Sequence, residues 1–188
     1  MFIKVETLAD LNTFNEIWME CWLEKGYMLD PRFDETDRFI ILDQANKEIG
    51  TIEFKSYFPS LQNYINTVFP FHEINKIEMN PMKVIEIDKV SILKEYRGKN
   101  LERLLSLFVH YTDFYQMNYC VVLLERVFYR ALRTVYKIPI EAVSEQMYYK
   151  GDYVIPAIIH SKEVYTNKEN YPWIIPSTQG FDRKLIYI

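Results

Sequence analysis

The run Val90-Ser91-Ile92-Leu93-Lys94-Glu95-Tyr96-Arg97-Gly98-Lys99-Asn100-Leu101-Glu102 carries the most chemical content in the chain: an apolar strand enters a short basic turn and then an amphipathic helix. That layout suits an anion such as a diphosphate. Unpaired backbone N–H groups at a helix N-terminus and the positive end of the helix dipole attract negative charge, and Arg97 and Lys99 add formal charge beside them. Asn100 is the residue type that best replaces glycine where the backbone must turn left-handed. Glu102 falls in the first helical turn, where its carboxylate favours the dipole but repels a phosphate. A second pattern is Arg126, Arg130 and Arg133, whose spacing of four and three places them on nearly one helix face. Cys21 and Cys120, with His72, His110 and His160, have no metal-ligand spacing and form no disulfide framework. A reduced, cytoplasmic protein without a metal is the expectation.

The composition sets outer bounds. The chain has 188 residues, 49% hydrophobic and 26% charged, enough for one domain with a substantial core. With 15 Tyr and 12 Phe, large rings are expected to line a cavity or an interface, and 5 Gly are too few for a glycine-rich nucleotide loop. A formal net charge of −4 argues against an extended nucleic-acid surface. No run approaches the roughly 20 apolar residues of a membrane span, and Met1 to Glu6 alternates like a strand rather than a signal peptide.

These residues need elements to hold them. After the first strand, Leu8, Leu11, Phe14, Ile17, Trp18, Cys21 and Trp22 recur at helical spacing up to Gly26. Residues 39–42 and 50–54 read as a hairpin, and Leu61, Tyr64, Ile65 and Val68 as a short helix within a Pro-bounded lid. Val84 to Ile92 alternates as a strand, and Leu101 to Tyr115 carries a helical stripe. Tyr119 to Leu124 is a continuous apolar run, as in a central strand covered on both faces. A helix from Arg126 to Tyr136 follows, then strands at Ala142–Tyr149 and Tyr153–His160 around Lys150-Gly151-Asp152. The polar remainder closes in Phe181 to Ile188, an expected edge strand.

The anion loop resembles the acyl-CoA loop of the GNAT acyltransferases, which reads Arg or Gln, two residues, Gly, one residue, then Gly or Ala. Arg97 takes the first position, Asn100 the first glycine position and Glu102 the last, so two of three defining positions depart. The element order over residues 1–160 is similar to that family's as well. The resemblance implies an α/β fold: a single GNAT-like domain over 1–160, a mixed central sheet of about six or seven strands flanked by helices, and a tail of 161–188 packed on it. Within the superfamily the chain resembles the acyl-homoserine-lactone synthases and N-acyl amino acid synthases. Trp22 precedes the acidic loop Asp30 to Asp37, Glu86-Ile87-Asp88-Lys89-Val90-Ser91 is similar to their Glu-x-x-Arg-x-x strand with Lys89 for arginine, and Gly151 and Pro156 match their final hairpin.

The implied activity is transfer of an acyl group from acyl-CoA, acetyl or longer, or from the phosphopantetheine of an acyl-carrier protein, to a small-molecule amine. In that reading Glu86, aimed into the cleft by strand alternation, is the base. Backbone N–H groups near Val90 and Ile92 polarise the carbonyl. Arg97, Gly98, Lys99, Asn100, Leu101 and Glu102 hold the phosphate. The acid is a tyrosine on the helix after the fifth strand, Tyr129 or Tyr136, although Tyr136 is followed by Lys137-Ile138-Pro139-Ile140 rather than the usual glycine segment. The three arginines would meet an acidic acceptor or carrier. The rival readings are a degenerate GNAT domain that binds without turnover, and a structural subunit that associates through Tyr171-Pro172-Trp173-Ile174-Ile175. Monomer and homodimer both remain open.

Overall fold

A computed structural model describes residues 2–29, 36–177 and 180–181. Helix α1 (Leu8–Glu24) follows strand β1 (Phe2–Lys4) and starts at a capping box, in which Thr7 Oγ1 accepts from Asp10 N and Asp10 Oδ2 accepts from Thr7 N. Strands β2 (Asp37–Leu42) and β3 (Glu48–Ser56) form the expected hairpin. A lid containing α2 (Tyr64–Val68) and α3 (Asn75–Glu78) leads to β4 (Val84–Ile92), then α4 (Leu101–Phe114), β5 (Tyr119–Glu125) and α5 (Arg126–Thr134). The chain continues through β6 (Ile140–Ala142), β7 (Met147–Tyr149), β8 (Asp152–Ile159) and α6 (Ser161–Thr166).

The sheet order is β1-β2-β3-β4-β5-β8-β6, with β7 also paired to β8. Every pairing is antiparallel except β4 with β5. Strand alternation sorts the core into two layers. Ile52, Phe54, Ile85, Ile87, Val122 and Leu124 face α4, α5 and α6, whereas Ile40 meets Phe14, Ile17 and Trp18 of α1. The lid has its own small core of Tyr57, Ile65, Phe71 and Ile77, which packs on Val84, Val121 and Ile158.

Two expectations need correction. The strand read as Ala142–Tyr149 is two short strands, since the pairing to β8 lapses between Val143, whose N–H still donates to the Pro156 carbonyl oxygen, and Met147. Residues after Ser161 are not simply a polar tail: Val164 and Tyr165 of α6 are buried in the main core. Beyond α6, Ile175 N donates to Ser106 Oγ of α4, and Trp173 Nε1 donates to the Tyr136 carbonyl oxygen. The expected edge strand and most of the acidic loop, 30–35, lie outside the described residues. Among the described residues no helix is long and apolar enough to cross a membrane.

Candidate active site

Strands β4 and β5 are paired only at Val84–Tyr119, Ile85–Cys120 and Glu86–Val121. Beyond Glu86 they part, β4 staying on β3 and β5 on β8. A cavity of about 500 Å³ fills the opening. Part of its wall is apolar, with Leu104, Val122, Leu124, Phe128 and Ala131, and part is aromatic and charged, with Trp22, Tyr27, Tyr64 and Tyr149 together with Glu86 and Asp88. Of the many Tyr and Phe, Tyr27, Tyr64, Tyr149 and Phe128 line this cavity, while others such as Phe39, Phe54, Phe108 and Tyr111 are packed in the core.

A bulge lies at the parting. Between Thr51 and Glu53 of β3 the register on β4 advances three residues, from Ser91 to Asp88, and Lys89 takes a left-handed backbone with φ 46°. A bulky residue there is strained and persists only if its surroundings hold it. Three contacts do so. Lys89 Nζ lies 2.7 Å from Glu53 Oε2, the Lys89 carbonyl oxygen accepts from Thr51 Oγ1, and Lys89 N donates to Asp88 Oδ1. Glu53 is fully buried and also receives Arg38 Nε at 2.7 Å and Thr36 Oγ1 at 2.8 Å.

The same sheet face carries the rest of the charge. Glu53 stands opposite Asp88 and Lys55 opposite Glu86 across the β3–β4 ladder. Lys55 Nζ is 2.6 Å from Asp88 Oδ2, 3.4 Å from Glu86 Oε1 and 3.7 Å from Glu53 Oε2. Burial raises the Glu86 carboxyl to about 7, with Asp88 and Glu53 adding to the rise and Lys55 opposing it. Burial also acts on Asp88, but the Lys55 ammonium outweighs it and holds that carboxyl below its ordinary range. Burial pushes the Tyr149 phenol well up, helped by its hydrogen bond to Tyr64 and by the charges of Asp88 and Glu86. Lys150 Nζ sits over the rings of Tyr149, Tyr64 and Trp22 at 5.1, 5.5 and 5.7 Å. Gly151 seats this β7–β8 turn on the end of α1, where a Cβ would come within 2.4 Å of the Gly26 carbonyl oxygen.

The structure brings together some of the residues singled out from sequence. Glu86, Val90, Ile92, Arg97, Gly98 and Leu101 line the cavity, while Lys99, Asn100 and Glu102 do not. The Arg97 guanidinium is already engaged: Nη1 and Nη2 hold Glu24 at 3.0 and 2.7 Å, and Nε donates to the Ile92 carbonyl oxygen. It ties α1 to the end of β4 rather than standing open to a phosphate. Asn100 has φ −117°, so the left-handed residue of the turn is Gly98, at φ 84°, and the Asn100 amide donates to the Tyr96 carbonyl oxygen. The N–H groups of Gly98, Lys99 and Asn100 have no acceptor among the described residues. Tyr129 and Tyr136 are outside the cavity wall; the Tyr129 hydroxyl accepts from Ala142 N, and the Tyr136 ring packs edge-on to Trp173. His110 Nε2 is bonded to the Ile175 carbonyl oxygen. Sequence reasoning missed Lys55, Glu53 and Tyr149. The first two had a signal, since Glu53-x-Lys55 and Glu86-x-Asp88 repeat at the two-residue strand period.

No family model and no curated protein sequence matches the chain. Solved structures do match it in backbone. The N-acyl amino acid synthase FeeM from uncultured soil microbes superposes with a TM-score of 0.69 at 10% identity, over 88% of this chain and 92% of that one. The acyl-homoserine-lactone synthase LasI gives 0.61 at 10% identity, over 89% and 93%. The spermidine N-acetyltransferase from Vibrio cholerae, solved with CoA and spermine, gives 0.57 at 14% identity, over 89% and 98%. The chain thus has a GNAT-like α/β fold, close in backbone to the acyl-homoserine-lactone and N-acyl amino acid synthases.

Proposed function

We propose that the protein is an N-acyltransferase that moves an acyl group from a pantetheine thioester to a small amine by direct attack. One observation carries the reading: a buried carboxylic acid, Glu86, faces the cavity at the strand parting with its carboxyl raised to about 7. An amine must lose a proton as it attacks, and a base poised near the working pH takes it most effectively. The nitrogen attacks the thioester carbon, Glu86 receives the amine's proton, the C–S bond breaks, and the departing thiolate takes that proton from Glu86, so that amine and thioester give amide and free thiol. The Val90 N–H, just past the bulge, is the donor assigned to the developing oxyanion, and Ser91 Oγ, buried and unpartnered among the described residues, lies beside it. The open N–H groups of Gly98 to Asn100 receive the donor's phosphate at the start of α4. The apolar part of the wall takes the acyl chain.

The donor is read as carrier-bound or CoA-bound. Arg126, Arg130 and Arg133 are exposed on α5, whose Val127, Phe128 and Ala131 form the cavity wall, which suits delivery by an acidic acyl-carrier protein. The amine acceptor is a small molecule, as the names of the synthase and spermidine acetyltransferase neighbours suggest. A second reading, a domain that binds the thioester without turnover, is favoured by Tyr129 and Tyr136 lying outside the cavity wall, which leaves neither tyrosine placed to act as the acid. Free-thiol release from octanoyl-CoA or octanoyl carrier protein with a mixed pool of amino acids and polyamines separates the two. Turnover that falls by roughly 10²–10⁴ in Glu86→Gln, with donor binding retained, supports catalysis; donor binding without thiol release in the native protein supports the second reading.

A further inference from the structure

Glu86 has one cation in contact among the described residues, and that cation is shared. Lys55 is its cross-strand partner, buried to 14% side-chain exposure, and it reaches Glu86, Asp88 and Glu53 at once. We propose that Lys55 is the positioning residue of this site: its ammonium clamps Glu86 and Asp88 together at the strand parting and supplies the positive charge that lets Glu86 exist there as a carboxylate. The activity arm of this inference rests on the acyltransferase reading; the titration arm does not. The other ionisable groups facing Glu86 are Glu53 and Tyr57 from the β3 side, Asp88 on β4 and Tyr149 on β7, and each is acidic. None can replace the ammonium. Of the other cations around the cavity, Lys89 and Arg38 pair with Glu53, Lys25 pairs with Glu125, and Lys150 lies over the rings of Tyr149, Tyr64 and Trp22.

The test is a titration of carboxyl-labelled glutamate by ¹³C NMR on the full chain, with Glu86 assigned by its loss in Glu86→Gln. Removing a cation from beside a buried carboxylate should raise the Glu86 midpoint by roughly 1–3 pH units in Lys55→Met, and Lys55→Arg should restore it. An unchanged or lowered midpoint in Lys55→Met, or a Lys55→Arg protein that behaves like Lys55→Met, overturns the proposal. Asp88→Asn tests it with Lys55 in place: losing a like charge and leaving Lys55 to Glu86 should lower the midpoint, and a rise would overturn the clamp. In thiol release, the ascending limb of kcat/KM should move with the NMR midpoint while the donor KM stays fixed. If the midpoints move as stated but no variant or native protein releases thiol, Lys55 stands and the acyltransferase reading fails.

Discussion

Glu86 is 6% exposed and lies in a wall where burial penalises its charge, so its folded-state carboxyl sits near 7 against an ordinary value of 4.5. The folded protein therefore holds this proton more tightly than the unfolded chain does. The resulting stabilisation is complete below the ordinary carboxylate value and is lost as pH rises through about 7. Activity runs the opposite way, because the base form appears only as that proton leaves. Glu86→Gln, a neutral isostere, should raise Tm relative to the native protein at pH 8 and leave it nearly unchanged at pH 5; scanning calorimetry at the two values checks the sign. Arg97 belongs to the same scale with a different outcome. Because its guanidinium holds Glu24 and the Ile92 carbonyl oxygen, Arg97→Ala should cost about 1–2 kcal/mol in denaturant unfolding with little change in donor affinity.

At the scale of elements, the β4 bulge depends on side chains from two other strands. The fully buried Glu53 holds both Lys89 and Arg38, and Thr51 fastens the Lys89 carbonyl oxygen. Glu53→Ala would leave the buried Lys89 and the half-buried Arg38 without this partner and should destabilise by about 3–5 kcal/mol, readable as a lower urea midpoint at unchanged m. Strand β4 and helix α4 were legible in the sequence because alternation and the stripe from Leu101 to Tyr115 are local patterns. The role of Arg97 was not, since its partner Glu24 is 73 residues away and nothing in the turn itself announces the pairing. The bulge was hidden for a related reason: a lysine at φ 46° is held by tertiary contacts, whereas a glycine would have signalled the turn. The break between β6 and β7 was likewise unreadable, because both short segments are fixed by their pairing to β8 rather than by their own composition.

For the whole molecule, the order β-α-β-β-lid-β-α-β-α followed by a hairpin was readable, but the cavity arises only from how the sheet divides. A cavity wall that is apolar in one part and charged in another predicts that binding strengthens with acyl length until the apolar part is filled. Thermal-shift measurements with acetyl-, butyryl-, octanoyl- and palmitoyl-CoA should give a Tm that climbs with chain length and then levels, since a ligand bound only to the native state raises stability by RT ln(1 + [L]/Kd). A shift identical for CoA and all its thioesters would remove the apolar part of the wall as the acyl site. Replacing Arg126, Arg130 and Arg133 by Glu should abolish the shift with acyl-carrier protein and spare that with acyl-CoA.

The parallel seam between β4 and β5 is three residue pairs long, whereas β3–β4 and β5–β8 are joined along six pairs each. Backbone hydrogen bonding thus divides the sheet into two antiparallel leaves, one built from β1 to β4 and the other from β5 to β8, stitched along a short spine. Along this spine backbone hydrogen bonds are few, and the leaves are held together chiefly by the core that they share. A molecule lodged in the opening would act as the missing stitches, stiffening the book from the inside and making the bound state the mechanically complete form of the protein.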